Sequence, residues 1–161
     1  MGGSCGIYIV RSTLMTHLTK LIDHCMWANE AWIGFIEDNF GSDDYLLTRM
    51  SHILLGEQAW FQRIAGEEPD RQVWKTMRVP ELRALHEKHS GIYESVLCET
   101  NRVVAYRRFT GEEYQSPVAD ILLHLTLHGT HHRGQMSTYA SGKGVKPIIT
   151  DFIQFCLVKG L

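Results

Sequence analysis

Apolar residues recur along the first long segment at Leu14, Leu18, Leu21, Cys25, Ala28, Trp32 and Phe35. Steps that alternate between four and three residues trace one face of an α-helix, so the spacing predicts a helix over about 12–39. The stretch FGSDD ends it. Gly41 suits the position just past a helix end, and Ser42 is placed to cap a new helix whose first turn carries Asp43 and Asp44. That second helix runs to about Ala65 and is closed by Gly66 and then Pro69. Pro80 opens a third, with Leu82, Leu85, His89, Ile92 and Val96 along one side.

The helical period then breaks. RVVAYRRFTGEEYQ is rich in β-branched and aromatic residues around Thr110-Gly111, which predicts a short hairpin. Ser116-Pro117 reads as a cap and first-turn proline for a fourth helix reaching about Ser141, before Gly142 and Gly144. TDFIQFCLVKG reads as a short last helix capped by Thr150, and the opening MGGSCGIYIV as irregular. Four long amphipathic helices predict an all-α protein, a four-helix bundle in one domain over 1–161. A short hairpin precedes the fourth helix and a short helix ends the chain.

Composition narrows the class without naming a function. Sixteen basic and eighteen acidic residues give a net charge of −2, and the basic ones are scattered, which argues against a nucleic-acid surface. No apolar run approaches the roughly eighteen residues that a membrane span requires. The pattern of a secretory signal is not seen at the start, and Gly6 stands where a myristoylation motif needs Ser or Thr. Cys5, Cys25, Cys98 and Cys156 are widely spaced, so they read as free thiols of a cytoplasmic protein.

Histidine is the residue that carries candidate chemistry. LHGTHHRGQ, residues 127–135, holds His128, His131 and His132, with His124 one turn upstream. At about 100° per residue, with Ile121 at zero, the buried stripe of the fourth helix spans about 0–60°. His132 falls inside that stripe and His128 just beside its edge, whereas His124 and His131 fall further round, on its shoulder. The i,i+4 pair His128/His132 thus faces the core. Two core histidines could each find a hydrogen-bond partner, but one metal ion would satisfy both rings at once.

A bundle site needs a further ligand from a facing helix. His52 in MSHILLGEQAW is the histidine of the second helix, and Gly56 and Ala59 on its face would leave room for water or substrate. A surface histidine near a helix start is the plainer reading of the same residue. His89, on the apolar stripe of the third helix, is the spare candidate; His17, His24 and His86 flank apolar faces and read as solvated. HEKH at 86–89 lacks the second intervening residue of His-Glu-x-x-His and is not a protease motif. A di-iron bundle would want Glu-x-x-His pairs, and the chain has none.

HGTHHRGQ before a Gly-containing helix end, TDFIQF after it, WANE at 27–30 and SHILLGEQAWFQRI at 51–64 together resemble the DinB/YfiT-like metalloenzyme family. The resemblance extends over about 14–158. It implies an up-down-down-up bundle, often dimeric, with one histidine of the second helix and two of the fourth on a divalent metal. On this chain those are His52, His128 and His132. Arg133 and Gln135 belong to the matched stretch, point away from the metal, and are expected to support packing or polar contacts.

Three imidazoles suit zinc or nickel better than calcium or magnesium, and leave coordination positions open. Because ligand rings must be neutral, affinity is expected to fall below about pH 6. Relatives include S-transferases and an isomerase that use low-molecular-weight thiols, so the resemblance implies a metal-dependent thiol transferase acting on a small molecule. A hydrolase using metal-activated water, and a non-catalytic metal-binding or interaction protein, are the alternatives. No general base is evident, since Glu57 points elsewhere on its helix and Glu30 is unplaced. The resemblance and the large apolar residues Trp27, Trp32, Trp60 and Trp74 also lead to the expectation of a homodimer.

Overall fold

The computed structural model describes the backbone of residues 5–161 and the side chains of residues 17–161. Helices α1 (Cys5–Phe40), α2 (Asp44–Ala65), α3 (Val79–Leu97) and α4 (Val118–Gly142) form the bundle. The hairpin of β1 (Val103–Arg107) and β2 (Glu113–Pro117) precedes α4, and α5 (Phe152–Lys159) ends the chain. Helix α1 begins at Cys5, so residues 5–11 are helical rather than irregular. From Ile7 to Ile33 the chain has neither glycine nor proline to break the backbone ladder. Residues 1–4 and the side chain of Leu14 lie outside the described residues.

The short turn at Gly41–Asp43 sends α2 back along α1. Its cap is Asp43 rather than Ser42: the carboxylate accepts from the Leu46 N–H at 3.0 Å, and its other oxygen accepts from the Tyr139 hydroxyl at 2.9 Å. A carboxylate there also complements the helix dipole. Gly66 closes α2 in the left-handed conformation, φ 79°.

Residues 66–78 then return along α2. The Ser51 hydroxyl accepts from the Met77 N–H at 2.8 Å, and the Thr48 and Thr76 hydroxyls pair at 2.6 Å. α3 therefore starts beside the start of α2 and runs parallel to it, with His89 meeting Glu57 and Tyr93 meeting Phe61 one turn on. α4 runs parallel to α1, since Arg133 reaches Asn29 while Gly129 lies against Cys25. The order is up-down-down-up, as expected.

Two of the predicted caps move for identifiable reasons. Strand β2 runs through Ser116 to Pro117, and the Ser116 hydroxyl pairs with the Tyr106 hydroxyl at 3.2 Å. The first α4 amides, Val118 and Ala119, donate instead to the carbonyls of Arg102 and Thr100. Thr150 does not cap α5, whose cap position is Asp151. Its hydroxyl accepts from the Trp32 indole at 3.3 Å, and its carbonyl accepts from His24 Nε2 at 2.7 Å.

The apolar interior comes in two blocks. One is built around Trp32, Ile36, Leu46, Met50, Leu82 and Met136, the other around Ile22, Phe61, Tyr93, Leu122 and Leu125. Between them lies a buried polar layer of Cys25, Asn29, Glu57, His89 and Arg133, one contribution or more from each bundle helix. Glu57 accepts from Asn29 Nδ2 at 3.0 Å and from His89 Nδ1 at 2.8 Å, while Arg133 donates to Asn29 Oδ1 at 2.7 Å. Gly129 permits this last contact, since a Cβ there would lie 2.7 Å from the Arg133 guanidinium. His24 and His86 are buried, not solvated: α5 covers the first, and the α1–α3 contact covers the second beside Glu30. His17 is exposed as expected. Among the described residues no helix is long and apolar enough to cross a membrane.

Candidate metal centre

α2 and α4 are antiparallel neighbours, and on their seam His52 meets His128 and His132. One ring nitrogen of each lies within 4.8 Å of the others, and His52 Nε2 is 3.2 Å from His128 Nε2. The rings meet edge to face, with centroids 4.6–5.0 Å apart. His52 and His132 are buried and His128 is half-buried. His131, on the shoulder, is exposed, as is His124.

Hydrogen bonds on the far sides of two rings fix what their near sides offer. His52 Nδ1 donates to the Val73 carbonyl at 2.9 Å, and His132 Nδ1 donates to Gln135 Oε1 at 2.9 Å. In its neutral form each of these two rings keeps an unprotonated Nε2, and that of His52 faces His128. Carbonyl and amide oxygens behind the rings are the usual way in which metal-binding histidines are oriented. Gln135 thus does more than pack, since its amide nitrogen also donates to His131 Nε2 at 2.9 Å.

The environment disfavours the charged form of all three rings. Burial pushes the pKa of His128 down to about 3, helped by the charge that His132 or His52 would carry beside it. His52 and His132 are also lowered, chiefly by burial, against the opposing pull of the Val73 carbonyl and of Gln135. The charge competition expected near pH 6 is therefore displaced to more acid conditions for the buried rings, because protonated imidazoles are poorly solvated here.

The loop supplies a wall that the sequence did not reveal. The Trp74 indole stacks on His52 at 3.6 Å and 6°, and the Arg49 guanidinium lies 5.0 Å from the centre of the Trp74 ring. Trp74 itself is 49% exposed, so its role is to cover the histidine rather than to fill the core. Gly56 differs from its expected use: a Cβ there would lie 3.3 Å from His128 Cε1, so its small size makes room for that ring. Ala59 is part of the buried interior.

The spare candidate His89 is not in the cluster. It is fully buried, with Nδ1 on Glu57 and Nε2 3.3 Å from Gln58 Oε1. Glu57 is engaged there as well, and Glu30 sits on the surface with Arg83 at 2.6 Å, so neither carboxylate reaches the three histidines. Cys25 is no substitute nucleophile: burial, and then Glu57, push its thiol up to about 12. Cys98 and Cys156 are free thiols too, while Cys5 lies outside the described side chains. Among the described residues, no fourth His, Cys, Asp or Glu joins the group, so these three rings could hold a metal ion with coordination positions left open.

The sequence model of the DinB family matches residues 14–157, nearly the whole bundle and all three histidines. The chain belongs to the DinB family. No curated protein matches its sequence. Within this DinB-family chain the matched span also includes Val73, Trp74 and Gln135, the groups that brace the cluster.

Proposed function

We propose that this DinB-family protein holds one divalent metal ion, zinc or nickel, on His52, His128 and His132 and acts as a metal-dependent thiol transferase. The observation that carries the reading is the convergence of three neutral imidazoles, two with their tautomer fixed from behind. Bound there, such an ion supplies Lewis acidity, which lowers the pKa of a thiol or water that it holds. Val73 and Gln135 hold the two ring protons away from the cluster, and Trp74 shields the face of His52. The carboxylates nearest in sequence are committed elsewhere, which favours a nucleophile that needs no protein base. A small thiol meets that condition better than water does.

Cobalt-substituted protein titrated with glutathione, bacillithiol and mycothiol tests this. At least one should produce sulfur-to-metal charge transfer. If none does while simple esters or amides turn over, the protein is a hydrolase; if neither occurs, it is a metal-binding protein without catalysis. The homodimer belongs to the same proposal. Ile153 and Leu157, one turn apart on α5, are 69% and 72% exposed and offer an apolar face for a second copy. Light scattering at tens of micromolar should give twice the chain mass, and a monomer would count against it.

A further inference from the structure

Beside the histidine cluster, between the hairpin and the α2–α4 seam, lies a cavity of about 630 Å³. Trp60 and Arg63 of α2, Arg108 and Phe109 of the hairpin, and Asp120 and His124 of α4 line it. His124 joins it to the cluster: its ring lies 5.6 Å from Trp60 and 5.8 Å from His128, centroid to centroid. The cavity is therefore one imidazole away from a candidate metal ligand.

Arg63 is the unusual group in this wall. It is only 8% exposed, yet among the described residues no carboxylate lies within ion-pairing distance of it, Glu68 acting on it only from further away, and its Nε is buried without a hydrogen-bond partner. Its guanidinium instead lies 4.7 Å over the Trp60 ring and 4.8 Å over the Phe109 ring. Buried arginines ordinarily find an anion, because an unpaired buried charge is costly. Aromatic faces hold the planar fork in place without using its N–H groups, which leaves those groups for a ligand.

We propose that this cavity binds a small carboxylic acid with an aromatic or apolar body, its carboxylate on Arg63 and its body against Trp60 and Phe109. A guanidinium fork matches a carboxylate in two parallel hydrogen bonds. One buried cation, with Arg108 nearer the solvent and Asp120 opposing, suits a monoanion better than a multiply charged phosphate. Under the transferase reading, on which this assignment of a substrate rests, the acid's far end extends past His124 toward the metal centre. The anion site itself needs no metal to form.

Phenylacetate is the probe, with phenylacetamide as its neutral match and phenethylamine as its cationic one. Titrations of the full-length protein, with and without chelator, are followed by tryptophan fluorescence and calorimetry. Phenylacetate should saturate in both states, and phenylacetamide and phenethylamine should bind at least about tenfold more weakly. Arg63→Met should remove that preference. Asp120→Asn, a surface change that does not threaten the fold, should tighten phenylacetate several-fold and leave phenylacetamide unchanged. Equal binding of acid and amide, preference for the amine, or an Asp120→Asn protein indifferent to the ligand's charge would overturn the proposal. These results are independent of the thiol titration, so a protein that ignores every thiol can still discriminate the acid, and the reverse.

Discussion

Two sets of histidine nitrogens lie at one level of the bundle and are satisfied in opposite ways. In the middle, both ring nitrogens of His89 are engaged by side chains of α2, Nδ1 by the Glu57 carboxylate at 2.8 Å and Nε2 by Gln58 at 3.3 Å. On the α2–α4 seam the acceptors sit behind two of the rings, at Val73 and Gln135, and the Nε2 atoms of His52 and His128 face each other at 3.2 Å. The first group is closed by a protein carboxylate; the second is a set of lone pairs that a cation would close. Burial makes both demands strict, since neither unpaired ring nitrogens nor unpaired charge is tolerated in an interior. A buried histidine is thus read by which of its two nitrogens the surrounding oxygens engage.

The sharpest way to break the comparison is to remove one ring from each group. His128→Ala or His132→Ala should take metal content from one ion per chain to near zero, and His52→Ala should weaken binding strongly. Elemental analysis of the purified variants decides, and full metal in both α4 variants would end the assignment. Glu57→Gln should do the converse. Breaking a buried pair from one side costs about 3–5 kcal/mol, so calorimetry should show Tm lowered by roughly 10 °C with metal content intact. Loss of metal from a folded Glu57→Gln protein would mean that the two groups are one site.

Acid separates apo and metal-bound protein less drastically. His128 has a folded-state pKa of about 3 against about 6.5 when unfolded. Between those values the unfolded chain binds the proton that the folded one refuses, so stability rises with pH. Chelated protein should therefore lose Tm steadily as pH falls from 6.5 toward 3, with no contribution from this ring above 6.5. His52 and His132, shifted in the same direction, add to the slope. A flat Tm over that range in chelated protein would show that the rings are solvated and not held neutral.

Much of this was legible in the sequence, and the parts that were not have local causes. Helical period placed His128 and His132 inward because one stripe of α4 is apolar at a regular spacing. It misplaced His24 and His86, because their covers come from α5 and from an antiparallel α1–α3 contact, which no period within one helix reports. Glu57 was set aside for pointing away from His52; it does, and what it points at is the buried layer. Val73 and Trp74 left no periodic signal at all, since a loop acts by its backbone carbonyl and a single stacked ring. The caps Ser42, Ser116 and Thr150 had the right residue types, but each position was decided by a partner more than sixty residues away or by a strand running on.

The finest distinction lies within α4, between two adjacent links of one chain of hydrogen bonds. Gln135 holds the His132 proton on Nδ1; His131 accepts from the Gln135 amide and packs edge-on against the His132 ring, 5.1 Å between centroids. Replacing a group that orients a ligand ring typically costs ten- to a hundredfold in metal affinity. Gln135→Leu, similar in size but without the amide, should therefore weaken metal binding by about that factor while leaving one ion per chain at saturation. His131 is exposed, so water can take its place beside the amide. His131→Ala should shift affinity by less than about threefold, within the range of exposed substitutions away from a site. Competition with a chelator of known affinity measures both on one scale. Equal losses for the two variants would place His131 among the ligands; no loss for Gln135→Leu would show that the His132 tautomer is set by something other than the oxygen behind it.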